Sequence, residues 1–492
     1  MLLILLAAVP GAFALICLAL PGERLRQAVL VLGTLANLAL VVVSWVKPPP
    51  ALGVYLALDP IGHLFMSLAA VLFLATAVFF IGYHQRRLVS ERIFLACFLA
   101  LLATFNLVFV SSHLGVLWVA LESASLAATP LIYFRLGARA LEATWKFILM
   151  NSVGIALALL GIFCVALSAS RIEPQVVLTV AGLGARGAEL DDTWLRAGFL
   201  LTLVGFGTKM GLAPMHGWKP DTYGEAPPPV AALMAGAMTL AAFLGLLRIF
   251  QICSYAGLEE FAGGWFIVFG LLSIATAAIF VINNPDYRRL LAYTSVEHMG
   301  VMTLAVGLGT LGAYSCFLHG LHNTLNKGML FFLAGYLWRM YGSKQIKDVR
   351  GVIHKHPLAG VLLMAALCAS SGFPPFGMFF SELGILFAAA REGAWWTLAL
   401  FSVTMCIVFI GVLTAMLPVV FGEPSSMPEG PDTKLLIRGE WRKKVMLAPV
   451  VCLAILALGL GAYQPPAVKR ALDDAAKALF PGRAPAPTET RR

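Results

Sequence analysis

The feature that most restricts the fold of this chain is a succession of long apolar stretches. An α-helix needs about 20 mostly apolar residues to cross a bilayer, and about fourteen such stretches follow one another along the 492 residues. The approximate spans are 1–20, 27–46, 60–83, 92–112, 113–134, 144–168, 194–212, 228–250, 264–283, 288–308, 311–338, 358–390, 395–420 and 445–463. Transmembrane barrel strands alternate in polarity over about ten residues, and these stretches do not. The sequence therefore predicts an all-α polytopic membrane protein with about 14 transmembrane helices.

Two of the spans contain a sequence that interrupts a helix. The seventh contains GLAP at 211–214 and the twelfth contains SGFPPFG at 371–377. Proline removes a backbone donor and crowds the preceding turn. Because the breaks are five spans apart, spans 4–8 and 9–13 are predicted to form two repeats, the second inverted in the membrane. Paired interrupted helices in inverted repeats indicate an ion or substrate path near the midplane, although each proline is also compatible with a packing kink alone.

These spans divide one membrane domain into consecutive segments. The expected segments are N-terminal transmembrane helices at 1–91, a first inverted repeat at 92–250, a second at 264–420, a connecting loop with the last transmembrane helix at 421–480, and a tail at 481–492. The tail is predicted to be disordered because it is rich in proline and polar residues and has little apolar surface to bury.

The basic residues are distributed unevenly between the two sides of the predicted helices. Counting alternate loops, one side holds 20 Lys and Arg residues and the other, apart from the C-terminal tail, holds six. The richer side includes Arg86, Arg87, Arg288, Arg289, Lys344 and Lys347. Cytoplasmic loops carry such an excess, so both termini are expected to face the periplasm of a cell inner membrane. The net charge of +10 is thereby explained by topology and not by nucleic-acid binding.

The sequence carries no signature of a cofactor site. Its eight cysteines are scattered singly through apolar spans, without the spacing of a metal cluster or a disulfide framework. No Walker loop or dinucleotide fingerprint follows a plausible strand. A redox cofactor or a nucleotide is therefore expected only in partner subunits. The chain itself is expected to be a conduit, with no catalytic residue and no metal site.

Three charged residues fall within spans of the first repeat. A charge at the bilayer centre costs roughly 2.5–3.5 kcal/mol on insertion scales, so such residues usually have a function. Glu122 lies inside the fifth span with Ser125 on its own helix face, and Lys209 immediately precedes the first break. Lys209 is predicted to change its charge state when a neighbouring charge moves. Lys146 begins the sixth span. Structural roles stay open for all three: an acid bonded to hydroxyls, a helix cap and a cation that reaches the headgroups.

The second repeat carries a polar stripe and a later acid. Lys327, Asn323 and His319 are spaced by four in the eleventh span, so they share one helix face. Such a stripe can hold a chain of waters, with histidine relaying protons near neutral pH. Glu382 follows the second break and mirrors the lysine before the first, unless it is an acid exposed at a helix end.

Two neighbouring residues of the tenth span are further candidates. His298 shares a helix face with Thr294 and is predicted to belong to the path. Glu297 points to a different face and is therefore expected to serve a different site from His298.

Four blocks of the sequence resemble the antiporter-like membrane subunits of the complex I superfamily. These blocks are GFGTKMGLAPMHGWKPDTYGEAPPPVAALMAG, DYRRLLAYTSVEHMG, HGLHNTLNKGMLFFLAG and GFPPFGMFFSE. The superfamily includes subunits of NADH:quinone oxidoreductase, of multisubunit Mrp-type sodium/proton antiporters and of group 4 hydrogenases. The resemblance covers roughly residues 60–420 and is most marked for the hydrogenase-4 component F branch.

The resemblance implies roles for several of these residues. Glu122 and Lys209 match the paired acid and lysine of the family's first half, Lys327 its central lysine, and Glu382 its terminal charged residue. Lys146 matches a lysine common at the start of the sixth helix. The chain departs from the family at two positions, where many relatives have a lysine and a histidine. These positions hold Leu240 and Asn323, which leaves His298 or water to complete the link between the half-channels.

The resemblance also implies a function. It predicts a proton-translocating, non-catalytic subunit of a membrane-bound hydrogenase or a complex of the NADH:quinone oxidoreductase type. Its expected partners are other membrane subunits and a cytoplasmic redox arm that holds nickel–iron (NiFe) and iron–sulphur centres. Three alternatives stay open: a subunit of a cation/proton antiporter, a subunit of an inorganic-carbon uptake complex, and a membrane scaffold that does not pump.

Overall fold

The protein is built of helices that pack side by side. The computed structural model describes residues 1–83, 91–135, 137–424 and 440–480, and no β-strand forms among them. The helices are α1 (Leu2–Ala19), α2 (Glu23–Val46), α3 (Pro60–Tyr83), α4 (Glu91–Val110), α5 (Leu114–Ile132), α6 (Ala138–Ser168), α7 (Val180–Ala185), α8 (Asp192–Met210), α9 (Trp218–Glu225), α10 (Pro228–Tyr255, with a π-helical turn at Met234–Met238), α11 (Glu259–Val281), α12 (Tyr287–Gly307), α13 (Gly309–Tyr341), α14 (Val352–Lys355), α15 (Pro357–Ser370), α16 (Gly377–Arg391), α17 (Trp395–Phe421), α18 (Glu440–Ala462) and α19 (Pro466–Leu479). The predicted tail and the basic residues Arg86 and Arg87 lie outside the described residues.

Ten of the described helices are long and apolar enough to cross a membrane. They are α1 to α6, α10, α11, α17 and α18. The other predicted spans correspond to α8, α12, α13 and the pair α15–α16. Lys209, Glu297 and Lys327 lie in the first three of these helices, where they and further polar residues lower the mean hydropathy. The described chain is therefore an all-helical polytopic membrane protein, while the number of fourteen crossings stays a prediction.

Both helix breaks lie where the sequence predicts them. Helix α8 ends at Met210, Gly211 follows with φ +77°, and α9 begins at Trp218. Helix α15 ends at Ser370, Gly372 has φ +65°, and α16 begins at Gly377. Glycine ends helices readily because it adopts the left-handed conformation without a steric cost. The twelfth predicted span is therefore two helices separated by an irregular segment.

The helices that carry most polar groups lie at the centre of the bundle. Helix α10 is buried along almost its whole length, and α12 and α13 are buried on nearly all faces. Outer helices expose large apolar side chains, such as Leu15 of α1, Val46 of α2 and Trp396 of α17. Because lipid satisfies no polar group, this arrangement places apolar surface outside and ionisable side chains inside.

An additional helix, α19, follows the last membrane-spanning helix. Leu472, Ala475, Ala476 and Leu479 face the protein along one side of it, while its opposite side is charged. The backbone carbonyl of Ala478 accepts a 2.7 Å hydrogen bond from Gln251 of α10. A scan for long apolar stretches cannot find this helix, because an amphipathic helix has a low mean hydropathy.

Glycines allow α6 and α8 to approach closely near the first break. A Cβ at Gly205 would lie 2.5 Å from the backbone nitrogen of Ala158 and 2.6 Å from the carbonyl oxygen of Gly154. We expect Gly205→Val to force these helices apart and to destabilise the protein by about 1–3 kcal/mol, as overpacking typically does. Thermal unfolding of the purified protein measures the effect. Gly264→Val is the matched control, because a Cβ at this helical position meets no atom within 4 Å, and an equal loss there would contradict the packing argument.

Candidate functional site

The first cluster consists of Glu122, Ser125 and Lys209, which join α5 to the last turn of α8. The side chain of Lys209 is fully buried, and its Nζ donates a hydrogen bond to Oγ of Ser125. The same Nζ lies 3.9 Å from Oε2 of Glu122. The lysine is therefore held by a hydroxyl, with the carboxylate at the edge of ion-pair distance. The predicted pair of Glu122 and Lys209 is in contact. Ser125, which the sequence offered only as a partner of the acid, binds the lysine.

Glu122 lines a groove of about 290 Å³ between α5 and α6. The groove is also lined by Trp118 and Ser152, and by Leu160 and Phe163, whose side chains are exposed on the outer surface. Oε2 of Glu122 has no hydrogen-bond partner among the described residues. The carboxylate is thus reachable from the outer surface of the chain, whereas the ammonium of Lys209 is not.

Lys146 lies at the protein surface and not in the buried cluster. Helix α6 begins at Ala138, well before the predicted start, because residues 138–143 are helical but too polar to register as an apolar span. The Nζ of Lys146 pairs with Glu142 at 2.7 Å and with Asp221 at 2.8 Å. Asp221 in turn accepts from Arg289 of α12 at 2.5 Å. Lys146 therefore belongs to an ion-pair network that fixes α9, the helix after the first break.

A second ion pair fixes α9 from the loop after α13. Lys344 donates to Oε1 of Glu225 and to the carbonyl oxygen of Gly224, at 2.8 Å and 2.9 Å. Burial of the ammonium lowers the pKa of Lys344, and the nearby charge of Arg288 lowers it further, while Glu225 opposes both effects. The chain beyond the break is therefore anchored to α6, α12 and this loop.

The second cluster is built around Lys327 in the middle of α13. The lysine is fully buried, and its Nζ donates a 2.7 Å hydrogen bond to Oγ1 of Thr294 of α12. Glu297 lies one turn further along α12 and is only 2% exposed. Residues three apart are neighbours on a helix surface, so its side chain lies beside that of Thr294, to which the ammonium is bound. The ammonium is thus bound by a hydroxyl and faces a nearby acid, the same combination of groups that surrounds Lys209.

Two histidines extend the second cluster towards the second break. Nε2 of His319 lies 3.2 Å from Nδ1 of His298, and Nδ1 of His319 lies 2.9 Å from Oγ of Ser381 in α16. Nε2 of His298 lies 3.2 Å from Oγ of Ser370, the last residue of α15. The two imidazoles therefore form a continuous row of hydrogen-bonding groups that reaches both sides of the second break.

Glu297 and Glu382 share a second groove, of about 270 Å³, near this break. Its lining includes Ser370 and Ser371, and Cys406 of α17, which is exposed on the outer surface. The carboxylate of Glu382 folds back onto the break, since a Cβ at Gly372 would clash with it. Oε1 of Glu382 has no hydrogen-bond partner among the described residues. Both clusters thus include a carboxylate that lines a groove on the outer surface.

The expectation that Glu297 and His298 serve separate sites does not fit their positions. Nδ1 of His298 lies 3.9 Å from Oε1 of Glu297, and Ser370 both contacts His298 and lines the groove of Glu297. The expectation assumed that α12 has one outward face. Because α12 is buried on nearly all faces, adjacent side chains can both point into the interior.

Two polar residues of α13 have a side-chain atom without a hydrogen-bond partner among the described residues. Asn323 is buried in the predicted stripe, but its Oδ1 has no hydrogen-bond partner among the described residues. His322 lies off the stripe, and its imidazole packs against Gly377 at the start of α16. Its Nε2 also lacks a partner in the same part of the chain. The described contacts that reach the second break are therefore those of His298 and His319.

Leu240 provides no polar link between the two clusters. Its side chain is fully buried and packs against α13, where a Cβ at Gly320 would lie 3.8 Å from Cδ2 of the leucine. Sequence reasoning missed another buried group, Lys219, because the residue lies in a joint between spans and was counted with the loop cations. Its side chain is fully buried.

The arrangement suits proton exchange and does not resemble a site for bond-making chemistry. Its carboxylates, imidazoles and amines each hold or release a proton, and the hydroxyls beside them both donate and accept hydrogen bonds. Among the described ranges, no group of three or more His, Cys, Asp or Glu residues is placed to hold a metal ion. The buried groups are spread over α5, α8, α12, α13 and α16, so together they cross the bundle from the first break to the second.

Comparisons with known proteins agree with an all-helical membrane protein. Residues 111–408 match the family described as NADH:quinone oxidoreductase/Mrp antiporter, transmembrane. The chain is 30% identical to a hydrogenase-4 component F homolog of Methylacidiphilum infernorum over 432 residues, which cover 86% of this chain and 88% of that protein. It is 32% identical to NADH-quinone oxidoreductase subunit 14 of Thermus thermophilus over 465 residues, covering 94% and 97%. A chain of respiratory complex I from T. thermophilus with bound aureothin superposes with a TM-score of 0.78 at 28% identity, covering 96% of this chain and 100% of that one.

Proposed function

Because this chain belongs to the NADH:quinone oxidoreductase/Mrp antiporter family of proton-translocating membrane subunits, we propose that it carries protons through its two buried clusters as part of a hydrogenase-like membrane complex. The proposed path includes Glu122, Lys146, Lys209, His298, His319, Lys327 and Glu382. Lys146 lies at the surface of the protein, where it also pairs with Asp221 of α9. The 30% identical relative named for hydrogenase-4 component F supports this type of complex.

The observation that carries the proposal is the burial of two lysines beside broken helices. Lys209 and Lys327 are both 0% exposed, and each is bonded to a hydroxyl with a carboxylate nearby. A buried ammonium is costly and is retained where its charge has a use. Moving a charge near Glu122 would alter the charge balance at Lys209. The groups from Lys327 to Glu382 would then pass a proton onwards.

The proposed path agrees with an architecture of fourteen crossings in two inverted repeats. Each repeat would contain one broken helix, α8–α9 in the first and α15–α16 in the second. Each break lies beside one of the clusters, as expected when irregular backbone lines a path and not lipid. The two grooves on the outer surface would be covered by neighbouring membrane subunits of the complex.

Purification of the complex from native membranes tests the proposed assignment. Co-purification of nickel–iron and iron–sulphur subunits is expected, and the purified complex in vesicles should take up protons while its redox partner turns over. Recovery with small antiporter subunits alone would contradict the hydrogenase assignment. Redox turnover without proton movement would contradict translocation and would leave Glu122, Lys209 and Lys327 as structural charges.

The topology provides a separate prediction. The asymmetry of 20 against six basic residues places the loop with Lys347 in the cytoplasm and both termini in the periplasm. A reporter that is active only in the periplasm should therefore be active when it is fused after Arg492. A reporter that is active only in the cytoplasm should be active when it is inserted next to Lys347. The reverse pattern would require an odd change in the number of crossings or an inverted orientation of the whole bundle.

A further inference from the structure

A lysine that belongs to neither cluster lies between them. Lys219 is the second residue of α9, and its side chain is 0% exposed. Its Nζ donates to the carbonyl oxygen of Met210 at 2.8 Å and to that of Ser295 at 3.2 Å. Met210 directly follows Lys209 of the first cluster, and Ser295 directly follows Thr294 of the second. The ammonium of Lys219 therefore bridges the backbone beside one cluster to the backbone beside the other.

The first break is shaped to admit this side chain. A Cβ at Gly211 would lie 2.6 Å from Cδ of Lys219 and 3.1 Å from its Nζ, and Gly211 has φ +77°. Any other residue at this position would be strained and would push the lysine away. Trp218, the preceding residue, donates a 2.8 Å hydrogen bond from Nε1 to the carbonyl oxygen of Thr208. The start of α9 is therefore tied to the end of α8, with the lysine directed into the protein.

The charge of Lys219 is not balanced by an acid. Within the residues that the structure describes, no carboxylate forms an ion pair with it, and its hydrogen-bond acceptors are neutral carbonyls. Nζ of Lys327 is bonded to Thr294, the residue before Ser295, so both ammonium groups contact the same turn of α12. A buried ammonium without a counterion is costly, and like charges that lie near one another repel.

Lys219 also supplies what α10 lacks. A relay between the clusters needs groups or waters within hydrogen-bond reach, and the side chain of Leu240 offers none. The ammonium of Lys219 approaches α12 from the side of the first break and contacts its backbone at Ser295.

We propose that Lys219 carries the proton between the Glu122–Lys209 pair and the cluster around Lys327. This assignment rests on the proposed function and extends it. In each transfer one N–H bond of an ammonium breaks and one N–H bond forms on the neutral amine that receives the proton, directly or through an intervening water. Only a proton moves, so no oxidant or reductant takes part in this step.

Two variants separate this role from that of a fixed cap on the end of α8. A cation near a helix C-terminus is stabilising whether or not it releases a proton. Lys219→Arg keeps the charge and the donors, but a guanidinium does not release its proton in proteins. Lys219→Gln keeps donors and removes the charge. We expect both variants to assemble with redox activity, and both to reduce proton translocation about a hundredfold or more, as loss of a proton-transfer group typically does.

A rescue and a control complete the experiment. Adding Leu240→Lys to Lys219→Gln should restore part of the translocation, because it returns an amine to the interior near α13. Lys47→Gln, which removes an exposed lysine, should leave translocation unchanged. Full translocation by Lys219→Arg would show that Lys219 is a fixed cap. Failure of both Lys219 variants to assemble would assign Lys219 the same structural role. Either result overturns the proposal. An unmutated complex that moves no protons contradicts the proposed function itself and is recognised in the same assay.

Discussion

Replacing Lys327 by alanine is expected to reduce proton translocation at least about a hundredfold, the lower range for loss of a general acid–base group. The ammonium is fully buried, and it donates a hydrogen bond to Thr294 of α12, the helix that also carries Glu297 and His298. Proton uptake by vesicles is measured alongside redox turnover of the partner subunits. Normal uptake in an assembled Lys327→Ala complex would remove this lysine from the path.

His298 provides the comparison for Lys327. Its contacts at 3.2 Å with both His319 and Ser370 link α12 to α13 and α15. If protons pass through this histidine, His298→Ala should impair translocation about as much as Lys327→Ala. Leu240→Lys should be tolerated as a single substitution. Full translocation by His298→Ala would leave water alone to connect Lys327 to the second break.

Loss of either charged residue of the first cluster is expected to reduce translocation about as much as loss of Lys327. Glu122→Gln and Lys209→Ala each remove one charge of a pair whose Oε2 and Nζ atoms are 3.9 Å apart. Because the two charges act on one another, the double variant should lose clearly less than the sum of the two single losses, expressed as free energies. The rate of proton uptake per redox turnover gives all three values.

A control for these single and double variants tests whether the loss of any lysine reduces translocation. Lys47→Ala removes an exposed lysine from the loop after α2 and should leave the rate unchanged. If the double variant of Glu122 and Lys209 loses the full sum of the single losses, the two residues act independently. The 3.9 Å approach would then reflect packing and not coupling.

Much of this architecture follows from local sequence, because bilayer thickness and backbone chemistry act locally. The length of each apolar stretch is set by the hydrocarbon core, so each predicted span falls on a described helix. Glycine and proline determine where a helix ends, which located the breaks after Met210 and Ser370. The pair of Glu122 and Lys209 was also predicted, since two costly charges in a membrane favour one another.

The parts that were missed depend on packing between distant segments. Lys219 was counted with the loop cations because a joint between spans is normally at the surface, whereas the segment after the first break folds into the interior. Glu297 was assigned to a separate site because a helix was assumed to have an outer face. The ion pairs of Lys146 with Glu142 and Asp221 at the surface were also not foreseen, while its place on the path stays a prediction.

The polar composition of α12 and α13 constrains how the chain enters the membrane during synthesis. A helix with charged residues in its middle partitions poorly into lipid by itself. Each of these helices directly follows a possible partner. Gly300 of α12 lies against Gly270 of α11, a helix apolar enough to insert alone, and Lys327 of α13 finds its acceptor in α12. Insertion in this order would give Lys327 its acceptor on arrival, and a defect in the contact between α11 and α12 would lower the amount of protein in the membrane before it affected transport.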